Sequence, residues 1–193
     1  FNILEVSRHN KIKHLIYAST SSVYGNTNKF PLNESDKTDY PLSFYAATKK
    51  SNEVMAHSYS HLYNIPTTMF RFFTIYGPWG RPDMALFTFT RNILSEIPID
   101  IHNNGQMQRD FTYINDLVKS IYLLISKIPN NTDNKSISIS NDNVSKVAPF
   151  RIVNIGNSAP VNLLDYINQL EKILGKKAKK NFLSMQDGEV KET

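Results

Sequence analysis

A tyrosine and a lysine four residues apart are the side chains of this sequence best suited to acid–base chemistry. Tyr45 and Lys49 would share one face of a helix. A free phenol has a pKa of about 10 and is a poor base at neutral pH. A neighbouring ammonium stabilises the phenolate, so this pair is a candidate to remove a proton from an alcohol.

The spacing of this pair is weak on its own, and its context gives it weight. With 10 tyrosines in the chain, about one such pair is expected by chance, and an exposed helix pair is then the simpler interpretation. Here the pair stands at a predicted helix start, shortly after the hydroxyl run Thr20-Ser21-Ser22. Hydroxyls that follow a parallel strand lie where open α/β sheets bind ligands.

The segments that would position these residues alternate between strand and helix patterns, which favours an α/β fold with a parallel sheet. An apolar run predicts a strand, and a pattern with good helix formers and no breaker predicts a helix. Residues 130–145, rich in Asn, Ser and Asp, predict an exposed loop. The predicted strands are 14–18, 67–73, 99–102 and 150–155, and the predicted helices are 45–63, 83–98, 115–125 and 163–174, the last capped by Asn162 and ended by Gly175.

The composition is that of one ordinary globular domain. The chain has 193 residues and a net charge of +5. It contains no cysteine, which excludes disulfides, cysteine–zinc sites and thiol nucleophiles and agrees with a cytoplasmic location. No apolar run approaches the roughly 20 residues of a membrane helix, and no signal peptide opens the chain, so we expect no membrane partner.

Several stretches resemble extended short-chain dehydrogenase/reductases, the NAD-dependent epimerases and dehydratases that act on nucleotide sugars. These stretches are ASTSSVYG at 18–25, YAATK at 45–49 and RFFTIYGP at 71–78. The stretches WGRPDMA at 79–85 and RDFTYI at 109–114 narrow the resemblance to UDP-glucuronate 4-epimerases. The resemblance implies a partial Rossmann-like parallel sheet with a small α/β substrate-binding subdomain. Residues 1–80 would be the remnant of the NAD-binding domain, and 81–193 mainly the substrate-binding part, with some segments returning to the first.

The resemblance also implies a cofactor, a substrate and roles. NAD would accept a hydride from C4 of UDP-glucuronate, and the 4-keto sugar would turn over and be reduced to UDP-galacturonate. Tyr45 would remove the 4-hydroxyl proton and Thr20 would hydrogen-bond the reacting oxygen. Lys49 would hold the cofactor ribose and keep the tyrosine ionised, so both residues also bind cofactor. Phe72 would line the nicotinamide pocket.

Two serines bear on the type of reaction. Ser21 and Ser22 stand where sugar 4,6-dehydratases carry an Asp-Glu pair and where decarboxylases carry Glu at the second position. Elimination at C5/C6 needs that extra acid or base, so hydroxyls favour plain epimerisation. The two serines, with Thr74 and Arg81, could bind the substrate carboxylate, although Arg81 could also be an ordinary turn arginine. Arg109 resembles the arginine that contacts the UDP diphosphate.

One family feature is missing from the sequence. The chain has 7 glycines, and no three of them take the G-x-G-x-x-G spacing that cradles a pyrophosphate. We therefore expect a fragment, shortened at both ends, that binds NAD poorly alone. The resemblance also implies that the full-length parent is a homodimer. The alternative is a non-catalytic remnant, or a binding or dimerisation module, of a decayed epimerase gene.

The remaining candidate sites have simpler interpretations. His57 and His61 lie four residues apart without a third ligand, so we expect a helix face and no metal site. His102 stands where relatives place an aromatic ring beside the uracil. Four lysines could form a nucleic-acid patch, but without interleaved aromatic residues they predict a solvated helix exit and no nucleic-acid partner. They are Lys176, Lys177, Lys179 and Lys180.

Overall fold

The computed structural model describes residues 1–130 and 143–193, and both ranges contain strands and helices. Most of the loop predicted at 130–145 lies outside the described residues. Two 3-10 turns, Ser21–Tyr24 and His102–Gly105, follow strand ends. The elements are α1 (Asn2–His9), β1 (Leu15–Thr20), α2 (Phe44–Tyr63), β2 (Thr67–Phe72), β3 (Thr74–Tyr76), α3 (Ala85–Leu94), β4 (Ile99–Ile101), β5 (Gln108–Tyr113), α4 (Ile114–Ile125), β6 (Phe150–Ile155), β7 (Pro160–Asn162), α5 (Leu163–Leu174) and β8 (Lys180–Phe182).

The largest sheet is parallel and has the order β1-β2-β6. Its register aligns Thr20 with Phe72, and Phe72 with Ile155 at the last position of each strand. Among the described residues β1 is therefore an edge strand. The carboxyl ends of all three strands meet at one edge, where a parallel α/β sheet binds its ligands.

Helices cover both faces of this sheet. On one face α1 and α2 pack through Leu4 and Ala56 against Leu15 and Met69. On the other face Leu117 of α4 packs with partners from the strands, Phe70 and Ile155. β1 was recognisable in the sequence as an almost continuously apolar run, and β2 by its β-branched and aromatic residues. Each fully buried large side chain contributes about 1.5–3 kcal/mol.

A second group of short strands carries the other half of the candidate site. The strands β3, β5 and β7 form one small sheet, and β4 and β8 form a parallel pair. The core beneath the parallel pair lies between α3 and α5, where Ile93, Ile101 and Ile167 are fully buried. The sequence did not predict β3, β5, β7 or β8, because most of them have only three residues and too few to show a period. The domain boundary at residue 80 stays a prediction.

The predicted helix 83–98 is shorter at both ends. Met84 keeps an extended backbone (φ −78°, ψ 155°), so the helix begins at Ala85. It ends at Leu94, because Glu96 takes a positive φ of 58° and the Ile97 amide bonds to the Asn92 carbonyl at 2.8 Å.

The ends of the last helix were predicted correctly. Asn162 Oδ1 accepts a 2.9 Å hydrogen bond from the Leu164 amide, and Gly175 ends α5 with a φ of 64°. The start of α4 was placed slightly late, since this helix begins at Ile114 and holds Asp116 in its first turn. A carboxylate at that position stabilises the helix dipole.

The lysines after α5 interact with the protein itself. Lys177 and Lys180 place their Nζ atoms 2.8 and 2.7 Å from the buried carboxylate of Glu171. These hydrogen bonds lower the pKa of Glu171 to about 2. Lys176 donates to the Leu94 carbonyl at 3.1 Å. This arrangement agrees with the helix-exit interpretation. Within the two described ranges, no helix combines the length and the apolarity needed to cross a bilayer.

Candidate active site

The helix that carries the Tyr-x-x-x-Lys pair begins at the mouth of the parallel sheet. Ser43 caps α2, since its Oγ accepts the Ala46 amide at 3.1 Å. Tyr45 lies in the first turn and is 53% exposed. Lys49 lies one turn later, with Nζ 5.9 Å from the centre of the Tyr45 ring and 3.1 Å from the Ala18 carbonyl oxygen. The ammonium therefore joins the phenol ring to strand β1.

The hydroxyl run lies at the end of that strand, where the chain turns. Thr20 is the last residue of β1 and has an extended backbone. Its Oγ1 accepts the Ser22 amide and donates to Ser22 Oγ, both at 3.2 Å. Thr20 and Ser21 are nearly buried. The threonine side chain caps the 3-10 turn and so fixes the position of all three hydroxyls.

A cavity of about 590 Å³ lies at this edge of the sheet. Lys49 does not line this cavity, and lies one helical turn after Tyr45 in α2. Every other residue that the sequence singled out for the site does line it, although these residues come from widely separated segments. They are Thr20, Ser21, Ser22, Tyr45, Phe72, Thr74, Arg81 and Arg109.

A second, more apolar cavity of about 690 Å³ adjoins the first, and Thr74, Arg109 and Glu189 line both. The rings of Phe111 and Tyr166, which line the second cavity, stack with centroids 5.3 Å apart and an interplanar angle of 9°. A site that combines flat apolar walls with a cation suits an aromatic ring joined to an anionic group. His102 also lines this second cavity.

Arg109 is held in place between the two cavities by backbone oxygens. Its Nη1 donates to the carbonyls of Gln108 at 2.8 Å and Lys191 at 3.2 Å. Burial lowers the pKa of Arg109, and the nearby Glu189 carboxylate opposes that effect. A guanidinium stays protonated in proteins, so Arg109 presents a fixed positive charge between the cavities.

Two acidic residues of the site were missed in the sequence. Within the described residues, Glu189 Oε2 is buried and has no hydrogen-bond partner, and the residue lines both cavities. Asp110 accepts the amides of Asn157 at 2.7 Å and Ala159 at 3.0 Å, and so shapes the loop between β6 and β7. Only the neighbouring Arg109 in the RDFTYI stretch could have drawn attention to Asp110.

Arg81 lies at the rim of the first cavity and is exposed. Its Nε and Nη2 both donate to the carboxylate of Asp83, and these hydrogen bonds raise the pKa of Arg81. The guanidinium therefore already holds one carboxylate, two residues further along the chain. A carboxylate ligand in the cavity would meet a side chain suited to it.

The two histidines of α2 have structural partners. His57 Nε2 lies 2.9 Å from Ser145 Oγ, and His61 Nδ1 lies 2.6 Å from the Val147 carbonyl. Both contacts hold the segment that leads into β6 against α2. This agrees with the expectation of a helix face.

Comparison with known proteins relates the chain to one protein family. Residues 1–140 match the model of the NAD dependent epimerase/dehydratase family. The chain is 54% identical over 192 residues to Protein CapI of Staphylococcus aureus and 51% identical over 193 residues to a probable UDP-glucuronate 4-epimerase of Rhizobium meliloti. Both alignments cover 100% of this chain and 57% of the relative, so the chain spans little more than half their length.

A solved structure gives the same result at the level of the fold. The UDP-glucuronic acid 4-epimerase of Bacillus cereus, crystallised with UDP-glucuronic acid and NAD, superimposes with a TM-score of 0.82. It is 36% identical, and the match covers 99% of this chain and 55% of that one. The predicted α/β, Rossmann-like fold class is thereby confirmed.

Proposed function

The chain belongs to the NAD-dependent epimerase/dehydratase family, and on this basis we propose that it carries the catalytic and sugar-binding part of a UDP-glucuronate 4-epimerase. One observation carries the proposal. A single cavity is lined by a tyrosine, by a threonine hydroxyl, and by hydroxyl and guanidinium groups that can donate hydrogen bonds to a carboxylate or a phosphate. A lysine ammonium lies 5.9 Å from the centre of the tyrosine ring. Relatives of about 50% identity over the whole chain include a probable enzyme of this specificity.

In the proposed mechanism, Tyr45 takes the proton from the 4-hydroxyl of the sugar while the C4 hydrogen leaves as hydride. Lys49 supports the phenolate, since its ammonium lies over the ring. The Thr20 hydroxyl donates to the reacting oxygen. When the 4-keto sugar presents its other face, the hydride returns to C4 and Tyr45 returns the proton to oxygen. The net result is inversion at one carbon, without net oxidation.

The residues fit one end of the NAD cofactor. When bound, NAD supplies the hydride acceptor. Tyr45 and Lys49 would hold its ribose, and Phe72 would form a wall against the nicotinamide. Tyr45 and Phe72 line the cavity at the carboxyl edge of the parallel sheet, and Lys49 lies one helical turn after Tyr45. The sequence has no glycine triplet for the pyrophosphate, so the chain alone should bind NAD poorly.

The substrate assignment depends on the walls of the two cavities. Ser21, Ser22 and Thr74 offer hydroxyls in the first cavity, and Arg81 offers a guanidinium at its rim. These groups are suited to a sugar carboxylate. Hydroxyls at Ser21 and Ser22, rather than carboxylic acids, support epimerisation over elimination.

The nucleotide would occupy the second cavity. Arg109 would bind the diphosphate between the cavities, and the flat apolar walls would take the uracil. The unpartnered Glu189 oxygen would accept a hydrogen bond from the ligand, because a buried acceptor without a donor is costly.

A chimera tests this function. The amino-terminal segment of the Bacillus cereus enzyme, which was crystallised with NAD, is joined ahead of this chain. The product formed from UDP-glucuronate is then followed by proton NMR. We expect UDP-galacturonate. A UDP-pentose, or unchanged UDP-glucuronate with a folded chimera that binds NAD, would contradict the proposal. Sedimentation of the same chimera tests the homodimer, which stays a prediction.

A further inference from the structure

A polar row crosses the parallel sheet one position before the strand ends, and it is buried on β1 and β2 and half-buried on β6. The register aligns Ser19 of β1 with Arg71 of β2, and Arg71 with Asn154 of β6. Glu53 of α2 reaches down to this row. Neither the proposed base nor the proposed substrate contacts uses any of these four side chains.

The central interaction of the row is an ion pair between Glu53 and Arg71, each 2% exposed. Arg71 Nε and Nη2 donate to the two carboxylate oxygens of Glu53, both at 2.8 Å. Ser19 Oγ donates to Glu53 Oε1 at 2.7 Å. Glu53 therefore links helix α2 to two strands at once.

The ion pair continues to the third strand through Tyr24. The Arg71 guanidinium lies 4.7 Å from the centre of the Tyr24 ring, and the Tyr24 hydroxyl donates to Asn154 Oδ1 at 2.7 Å. Arg71 Nη1 also donates to the Glu34 carbonyl at 3.3 Å. The network thus joins α2, all three strands and the loop before the helix.

Stability alone is a weak reason for this arrangement. Burying two charges costs solvation energy, and replacing such a pair by apolar side chains of similar volume is often neutral or stabilising. Burial opposes the ionisation of Glu53, but the hydrogen bonds from Arg71 prevail and lower its pKa. What apolar packing cannot supply is directional contact at fixed distances.

Three members of the network are neighbours of proposed site residues. Ser19 precedes Thr20, Arg71 precedes Phe72, and Glu53 follows Lys49 by one helical turn. We propose that Glu53 and Arg71 are positioning residues, which hold α2 at the distance from the strand ends that lets Tyr45 and Thr20 act on one oxygen. The proposal rests on the function proposed above and deepens it.

The first test measures that distance in the chain itself. The sequence has no cysteine, so nitroxide labels at Thr48→Cys on α2 and Lys119→Cys on α4 report the position of α2 across the sheet. The test variant is Glu53→Met/Arg71→Met. The control is Glu171→Gln, which removes a buried carboxylate of α5 that forms ion pairs with Lys177 and Lys180. We expect a shifted or broadened distance distribution in the double variant and an unchanged one in the control.

The second test measures catalysis in the chimera. Because a misplacement of about 1 Å can cost about 10²-fold, we expect kcat of the double variant to fall by about that factor. The KM for UDP-glucuronate should change less than about twofold, because sugar and nucleotide contacts are untouched. The Glu171→Gln control should keep both values. If the double variant does not fold, Glu53→Gln takes its place in both tests.

The two tests distinguish a failure of the positioning role from a failure of the proposed epimerase function. A folded variant with unchanged label distances and unchanged kcat would overturn the positioning role. An unmodified chimera that fails to epimerise would contradict the function instead, and the label distances in the isolated chain would still decide whether the pair positions α2.

Discussion

The Nζ atom of Lys49 lies 5.9 Å from the centre of the Tyr45 ring while it donates a 3.1 Å hydrogen bond to the Ala18 carbonyl. Helix periodicity supplies the first contact, and the packing of α2 on the edge strand supplies the second. One ammonium therefore connects the proposed base to the strand that ends in Thr20.

Replacing Arg109 should weaken nucleotide binding by the chain alone. Arg109→Met keeps much of the apolar stem and removes the charge between the two cavities. A charge-assisted hydrogen bond contributes about 1.5–3 kcal/mol, so the Kd for UDP should rise at least about tenfold. Calorimetric titration with UDP measures this. The control Arg91→Met, at an exposed position of α3, should bind UDP as the unmodified chain does. Equal affinities of the two variants for UDP would contradict the role of Arg109 in nucleotide binding.

Replacing Arg81 should weaken the binding of UDP-sugars only when the sugar carries a carboxylate. Arg81→Gln removes the charge at the rim of the first cavity and leaves the nucleotide contacts intact. We expect the Kd for UDP-glucuronate to rise about tenfold and the Kd for UDP-glucose to stay within about twofold. Parallel titrations with the two ligands measure this difference. A similar loss for both sugars would indicate a general structural effect, and no loss for either would leave Arg81 as a turn residue.

The loop between β6 and β7 should be sensitive to one added methyl group. A Cβ on Gly156 would lie 2.5 Å from Asp110 Oδ2, which accepts the amide of Asn157. Gly156→Ala should therefore displace the Asp110 carboxylate and cost about 1–3 kcal/mol in the free energy of unfolding, with weaker UDP binding.

Denaturant unfolding and UDP titration of the same variant check both effects. Lys119→Gln, at an exposed position in α4, is the control and should change neither quantity noticeably. A Gly156→Ala variant as stable as the parent chain would mean that the loop adapts without cost.

Glu171 should stabilise the fold at neutral pH and lose this effect in acid. Its pKa is about 2 in the folded chain, below the ordinary value of 4.5. A lowered folded-state pKa gives stability that is present above pH 4.5 and is lost as the pH falls toward 2. At pH 7, Glu171→Gln should cost about 1–3 kcal/mol.

Urea unfolding between pH 7 and pH 2 measures this dependence. The gap between the parent chain and Glu171→Gln should narrow as the pH falls. Glu96→Gln removes an exposed partner of Lys176 at 3.6 Å and should cost less than about 1 kcal/mol at any pH. A gap for Glu171→Gln that does not depend on pH would contradict the role assigned to its charge.

The sequence predicted what local patterns determine. The β1 strand was recognisable as an almost continuously apolar run and β2 by its β-branched and aromatic residues. The helix α5 was recognisable because Asn162 and Gly175 mark its ends. The residues that line the first cavity were recognisable through family motifs, which collect distant segments that no periodicity could connect.

The sequence could not predict what depends on tertiary partners. The strand β8 exists only by pairing with β4. The buried Oε2 atom of Glu189 has no mark in the sequence around it. The Glu53–Arg71 pair joins residues 18 positions apart in two elements, and nothing in either local pattern marks them as partners. A buried carboxylate on a helix is indistinguishable in the sequence from an exposed one.

The loss of one oxygen atom tests the central claim most directly. In the chimera, Tyr45→Phe removes the phenolic oxygen and keeps the ring beneath Lys49. General-base catalysis contributes about 10²–10⁴-fold, so kcat for the conversion of UDP-glucuronate to UDP-galacturonate should fall by at least about 10²-fold with little change in KM. A Tyr45→Phe chimera that epimerises at the rate of the unmodified one would show that another group takes the proton.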